Sequence, residues 1–254
     1  MRKTFATLST AVAALLCTGV ATAAVRSDTL VSSNWAGYSV TGSTPTPLSF
    51  SSVSGIWKQP KATCAGGRAT SSAFWIGLGG FSQSATGLEQ IGTLADCTTA
   101  GRAKHAMWYE LLPAASVPIP LKVFPGNVIA ASVSDAGTTV TLRIRNLTRK
   151  TSFTKVVRMS SPDLSSAEWV AEAPSACDAR GRCVVLPLTS FGTVPFAQAS
   201  ASANGHTGAI DDPAWSPTTI ELVLDGSAPG RPGTAGAAPS ALSPDGSVFT
   251  VTTR

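Results

Sequence analysis

The sequence predicts an all-β chain folded as an antiparallel two-sheet sandwich. Two observations carry that prediction. Only 13% of its 254 residues are charged, while Ser, Thr, Gly, Val and Pro abound. No long stretch has a helical period; short alternating runs recur instead, each bounded by Gly, Pro, Asn or Asp. Alternation of this kind buries one face of each strand, and two such faces packed together make a sandwich.

Residues 1–23 read as a removable export signal. Arg2 and Lys3 start the chain, an apolar run spans about Ala11 to Val20, and Ala21-Thr22-Ala23 offers small residues for cleavage. The run is shorter than the roughly 20 residues a membrane span needs. Leu16 is too bulky to precede a lipid-modified Cys17, so Cys17 leaves with the signal. Residues 24–254 then form one domain of about 230 residues, within the range of single all-β domains. No later stretch spans a bilayer, so the mature protein is expected to be secreted, extracellular and free of membrane.

Signal removal takes Lys+Arg from 19 to 17 against 14 Asp+Glu, and the net charge from +5 to +3. The excess reflects scarce acids rather than a basic patch. Arg143, Arg145, Arg149 and Lys150 come nearest to one, and Arg143 and Arg145 alternate along a strand facing solvent. Nucleic-acid binding asks for a denser basic surface with interleaved aromatics, so no nucleic-acid partner is expected.

Four cysteines remain, an even number in an exported chain, which reads as two disulfides. Cys177 and Cys183 enclose the turn-like Asp178-Ala179-Arg180-Gly181-Arg182 and pair locally. Cys64 and Cys97 pair by elimination. Zinc is the competing reading, but there is no Cys-x-x-Cys spacing and no neighbouring histidine, so no metal is expected.

Three aromatic segments come next: Ala73 to Gly80, Gly87 to Thr93 and Met107 to Pro113. As strands they place Trp75, Gln90, Trp108 and Glu110 on sheet faces, an aromatic wall with a few polar points suited to an extended polymer. The plainer reading makes them core aromatics with Gln90 in solvent. Val128–Val133 and Val140–Arg145 follow as strands, with Pro125-Gly126-Asn127 and Asp135-Ala136-Gly137 as turns. Asn146-Leu147-Thr148 fits a glycosylation acceptor.

The stretch 161–175 holds two of the five glutamates. As a strand it sets Glu168, Val170 and Glu172 on one face and Trp169 and Ala171 on the other. Desolvation and like charge raise a carboxyl pKa on such a face, which suits acid/base chemistry. Two ordinary surface glutamates are the alternative. Thr219–Leu224 is a further strand, 225–243 a long surface loop, and Val248–Thr252 the last strand.

The two histidines, His105 and His206, sit in polar, loop-like surroundings and read as solvated. No His-Glu-x-x-His, Gly-x-Ser-x-Gly, phosphate-loop or Asp-Thr/Ser-Gly motif occurs.

Taken in order, the segments resemble the glutamic peptidases of the eqolisin family, secreted endopeptidases of fungi with bacterial relatives. The resemblance runs through Ser33-Asn34-Trp35-Ala36-Gly37, Val53 to Pro60, Trp75-Ile76-Gly77, Leu88-Glu89-Gln90-Ile91-Gly92, Trp108-Tyr109-Glu110, Ala167-Glu168-Trp169 with Glu172, and Phe191-Gly192. It implies a sandwich of two seven-stranded sheets, of the concanavalin A-like, jelly-roll type. It also implies a Gln/Glu catalytic pair, matched to Gln90 and Glu168, acting on protein or peptide substrates as a monomer without metal or cofactor. Glu168 would activate water, and Gln90 would stabilise the oxyanion. Trp75, Trp108 and Glu110 would line the substrate cleft. Glu172 would tune Glu168 or hold local structure. A glutamate of ordinary pKa would work at about pH 3 to 5.

Two departures from the fungal pattern stand out. Those enzymes carry an aspartate just after the Trp-x-Gly strand, where this chain has Gly79. Only about ten residues separate the signal from Ser33, little room for a long propeptide. The competing readings are a carbohydrate-binding sandwich that stacks sugars on Trp75 and Trp108, and a glycoside hydrolase using Glu168 with Glu110.

Overall fold

The structure is a computed structural model. It describes residues 28–43, 48–82, 85, 87–178, 180–224 and 236–254. The signal reading of 1–23 lies outside these residues, as does most of the predicted loop at 225–243.

All the described regular structure is strand. In chain order the strands are β1 (Asp28–Ser32), β2 (Trp35–Thr41), β3 (Phe50–Lys58), β4 (Ala73–Gly79), β5 (Leu88–Cys97) and β6 (Ala103–Leu111). Then come β7 (Val117–Ile119), β8 (Val128–Asp135), β9 (Thr139–Asn146), β10 (Thr151–Arg158), β11 (Ser166–Glu172) and β12 (Ser175–Cys177). The last are β13 (Cys183–Val185), β14 (Thr193–Ala203), β15 (His206–Gly208), β16 (Ser216–Val223), β17 (Gly236–Pro239) and β18 (Phe249–Thr253).

Hydrogen bonding in the main sheet follows the path β10-β9-β8-β3-β14-β18-β17-β16-β2-β11-β4-β5-β6-β7, with β1 added in parallel to β16 and β15 to β14, while β12 and β13 form a separate two-stranded sheet. The path doubles back on itself, so that β4 and β5 lie over β8 and β9, and β11 lies over β3 and β14. The predicted all-β antiparallel sandwich is therefore what forms, with its two layers joined along one side by the short β17–β18 pairing.

That join corrects the loop reading of 225–243. Gly236-Ala237-Ala238 looks too small and too poor in β-branched residues for a strand. Pairing on both flanks overrides that propensity, to β16 and to β18, and Ala237 is buried. Small side chains fit there because the backbones crowd: a Cβ on Gly236 would lie 3.1 Å from the Leu222 carbonyl carbon.

The core between the layers is aromatic. Trp57, Trp169, Phe50, Phe74, Phe196 and Phe249 are at most 1% exposed, each worth roughly 2–3 kcal/mol of burial. Two indoles tie the layers together, Trp169 Nε1 donating to Ser54 O at 2.8 Å and Trp57 Nε1 to Thr93 Oγ1 at 3.0 Å. Gly55 makes room for the first, since a Cβ there would meet Trp169 Cδ1 at 3.1 Å.

Both expected disulfides are present, Cys64–Cys97 and Cys177–Cys183. Asn146, the predicted sugar acceptor, is fully buried, and its Nδ2 donates to Asn127 Oδ1 at 2.8 Å. Its place at the end of β9 turns it inward, so the folded chain does not present it. His105 also departs from the loop expectation: it is half-buried on β6, and burial lowers its pKa. His206 is exposed, on β15, with Nε2 2.9 Å from Asp212 Oδ2.

Candidate active site

The strand order β2-β11-β4-β5-β6 sets three rows of side chains across one sheet. The first row runs Ser39, Glu168, Gly77, Gln90, Glu110. The second runs Gly37, Val170, Trp75, Gly92, Trp108, and the third Trp35, Glu172, Ala73, Leu94, Ala106. These positions alternate with core-facing ones such as Phe74, Ile76 and Trp169, so all three rows look away from the main core. They hold a second apolar cluster of Ala73, Trp75, Leu88, Trp108 and Val170, flanked by Trp35 and Leu94. Gly92 belongs to that arrangement: a Cβ there would lie 2.6 Å from Trp75 Cβ.

A cleft of about 460 Å³ opens over this cluster. Its lining includes Asn34, Trp35, Gln90, Trp108, Glu110 and Glu172. The disulfide-closed hairpin of β12 and β13 contributes Ser175, Cys177 and Cys183 to the rim. Three of the predicted residues, Gln90, Trp108 and Glu110, are thus brought together.

Glu168 is not among them. It is fully buried, and Ser39 Oγ donates to its Oε1 at 3.3 Å. The physical reason is its neighbour in the row. Over Gly77, which has no side chain, Leu88 Cδ1 and Trp75 Cζ3 come within 2.9 and 3.1 Å of where a Cβ would stand. These two apolar side chains lie over Gly77, the position between Glu168 and Gln90 in the row. Burial raises the Glu168 pKa well above the usual carboxyl range; the Ser166 and Ser39 hydroxyls oppose the rise, and nearby Asp163 and Glu89 add to it. Glu168 therefore does not line the cleft with Glu110, as the glycoside-hydrolase reading requires.

Glu172, two repeats of the pleat further on, faces the cleft instead. Trp75 Nε1 donates to its Oε2 at 2.7 Å and Asn34 Nδ2 to its Oε1 at 3.2 Å. Desolvation pushes the Glu172 carboxyl up to about 7, the Trp75 bond opposes that rise, and the charge of Glu110 adds to it. Trp75, expected to line the cleft, is fully buried and supports Glu172 from beneath, with Trp35 against it edge-on at 5.0 Å. Asn34 and Trp35 escaped the site reading, although the Ser-Asn-Trp segment that carries them was part of the family resemblance.

Gln90 is 4% exposed, and its Nε2 donates to Glu110 Oε2 at 2.7 Å. Burial raises the Glu110 pKa, and the Gln90 bond opposes the rise. Gln90 Oε1 and Trp108 Nε1 are buried with no hydrogen-bond partner among the described residues. Unpartnered polar atoms of this kind cost stability unless a ligand meets them. Gly79, where the fungal pattern has aspartate, has φ +79°, and a Cβ there would come 2.6 Å from Asp163 Cβ. Asp163 from another segment fills that place. No cluster of His, Cys, Asp and Glu among the described residues could hold a metal.

Comparison with known proteins follows the same lines. The family model described as the Peptidase A4 family matches residues 33–226. The chain belongs to the Peptidase A4 family. Its fold is similar to scytalido-glutamic peptidase with a transition state analog inhibitor, at TM-score 0.71 and 22% identity over 87% of this chain and 98% of that one. It is similar also to SCP-B, a member of the eqolisin family of peptidases solved with the tripeptide Ala-Ile-His, at TM-score 0.67 and 21% identity over 87% and 98%. Aspergilloglutamic peptidase from Aspergillus niger matches at TM-score 0.59 and 24% identity over 73% and 99%. No curated protein sequence matches. The resemblance to eqolisins read from the sequence holds, and the chain is a peptidase of that family.

Proposed function

We propose that this peptidase is a glutamic endopeptidase whose working pair is Gln90 and Glu172. One observation carries the reading: in a chain of a peptidase family, a glutamine amide and a desolvated glutamate face the same apolar cleft. The names of the similar solved structures, two of them glutamic peptidases, point the same way.

The elevated pKa decides the starting protonation. Below about pH 7 Glu172 is a carboxylic acid, with one proton to give and lone pairs to receive another. An extended peptide lies along Trp35, Leu94 and Trp108, with its scissile carbonyl between the two catalytic side chains. Gln90 Oε1 accepts a hydrogen bond from the attacking water. The Gln90 N–H not engaged by Glu110 donates to the oxygen on which negative charge develops. Glu172 protonates that oxygen as water adds to the carbon, and takes the proton that the water releases. The resulting diol collapses: Glu172 gives its proton to the leaving nitrogen and recovers one from a hydroxyl. A carboxylic acid and an amine leave, and Glu172 is again protonated, so the cycle balances without a covalent intermediate.

Glu110 is a positioning residue. As an acceptor for Gln90 Nε2 it sets which end of the amide faces the water. The protein is exported by its 1–23 leader and acts as a monomer; its two disulfides suit an oxidising compartment. No helix among the described residues is long and apolar enough to cross a membrane.

The test is incubation of the mature protein with a denatured protein across about pH 2 to 8, with and without a chelator, beside Glu172→Gln. Chelator-resistant cleavage that weakens as pH rises through about 7 and disappears in the variant supports the reading. A folded wild type that cleaves nothing at any pH rejects it.

A further inference from the structure

The layer opposite the cleft presents its outer face to solvent, and that face is unusually one-sided in charge. Arg143 and Arg145 stand exposed on β9, two residues apart and therefore on the same side, about 7 Å from each other. Lys58 at the end of β3, Lys150 in the turn before β10, and Arg158 at its end are also exposed. Strands β3, β8, β9, β10 and β14 of this layer carry a single acid, Asp135. Asp135 is engaged with its own turn, its Oδ2 accepting from Gly137 N at 2.9 Å. The ion pairs found among the described residues are Arg182–Asp178, His206–Asp212 and Arg254–Glu221, none of which involves this face.

Between the cations the surface is small and hydroxylated. Arg143 is flanked across the sheet by Ser132 and Thr154, with Ser54 beyond, and Arg145 by Ala130 and Ser152. A pocket of about 250 Å³ is lined by Arg143, Arg145, Lys150, Thr151 and Ser152 together with Asn146 and Leu147. It therefore gathers three cations around neutral hydrogen-bonding groups.

We propose that this face is a docking surface for an acidic polysaccharide, a polymer with both carboxylates and hydroxyls. The guanidinium forks of Arg143 and Arg145 suit carboxylate oxygens, and the Ser and Thr hydroxyls suit the sugar hydroxyls between them. The face lacks what the competing polyanions need. The aromatic of β10, Phe153, points inward and stacks on Tyr109 at 5.8 Å, and Phe124, exposed in the turn before β8, already has the Arg149 guanidinium over its ring at 5.1 Å, so there is no row of open rings for successive nucleobases. The exposed large apolar side chains here are Val156 on β10 and Phe124 and Leu147 in the adjoining turns, three separate residues rather than a continuous apolar face for insertion into a lipid surface. Because the cleft opens on the other layer, docking leaves it free for substrate.

The experiment uses the full mature chain and R143E/R145E on immobilised polygalacturonate, with dextran as neutral control and with anionic vesicles and single-stranded DNA at matched charge. Binding is read at about 50 mM salt and about pH 5, where uronate is ionised and screening is modest. The wild type should bind polygalacturonate, not dextran, and release as salt is raised. The variant should bind on the order of tenfold more weakly, since four units of charge are removed from exposed pairs each worth a factor of about two. Its peptide cleavage and melting midpoint should stay unchanged. Absence of wild-type binding, equal binding by the variant, or equal retention on dextran overturns the proposal. Tighter binding to vesicles or DNA than to polygalacturonate assigns the face to another class of partner and overturns it too.

Discussion

Replacing Glu172 by Gln, beside the same change at Glu168, separates the two carboxyls of β11. Both substitutions preserve shape and remove a proton. In the cleft the loss falls on proton transfer, which contributes about 10²–10⁴ in rate, so Glu172→Gln should lower kcat by that factor. Trp75 Nε1 can still donate to the amide oxygen, while Asn34 Nδ2 then faces an NH2 group, so a small loss of stability accompanies the change. Glu168 lies sealed behind Leu88 and Trp75. Glu168→Gln should leave kcat within about threefold of wild type, in line with its lack of contact with substrate. The assay is steady-state hydrolysis of a quenched fluorescent peptide, with folding of each variant checked by its melting curve. In the wild type kcat/KM should fall as pH rises through about 7, because the acid form of Glu172 is needed. That limb should be absent from whatever activity Glu172→Gln retains. A dead Glu168→Gln beside an active Glu172→Gln would refute the placement of the catalytic carboxyl.

Three further outcomes are expected. Gln90→Glu replaces a donor by an acceptor next to Glu110 and should cost about 10²–10³ in kcat, the usual value of an oxyanion donor; Glu110→Gln, which lets the Gln90 amide turn over, should lower kcat more than it changes KM. Stability should depend on pH with a definite sign: the folded state raises Glu89 from 4.5 to about 7, mainly by burial with Asp163 adding, so its stabilising effect is full below about 4.5 and lost as pH rises through 7. A shift of that size is worth about 3 kcal/mol, so the melting midpoint measured against pH should fall from acid to neutral, and Glu89→Gln should flatten the fall. Replacing Cys64 and Cys97 by Ser opens a loop of 33 residues and should lower unfolding free energy by about 3–4 kcal/mol in denaturant titration, with peptide turnover at low temperature little changed.

The sequence by itself determined the strands, the sandwich, both disulfides and the family. These are encoded locally or by order: alternation reports which side of a strand is buried, and paired half-cystines in a turn need only their neighbours. It also put Glu168 and Glu172 on one face, and Gln90, Trp108 and Glu110 beside a polymer-sized wall. Which of the two glutamates lines the same cleft as Gln90 was decided by tertiary structure. Both share the strand and the side, and they differ only in their cross-strand rows. In row one Glu168 is followed by Gly77, over which Leu88 and Trp75 close; in row three Glu172 is followed by Ala73, which lines the cleft. That difference depends on the register of β11 against β4 and β5, set by residues some eighty to a hundred positions away. The same holds for β17, a strand only because β16 and β18 flank it, and for Asn146, a sugar acceptor by motif that the end of β9 turns inward. Likewise the pKa of Glu172 is a property of its desolvated seat against Trp75 and Asn34 rather than of its residue type. Periodicity states which face a side chain joins; what covers that face is settled only when distant strands come together.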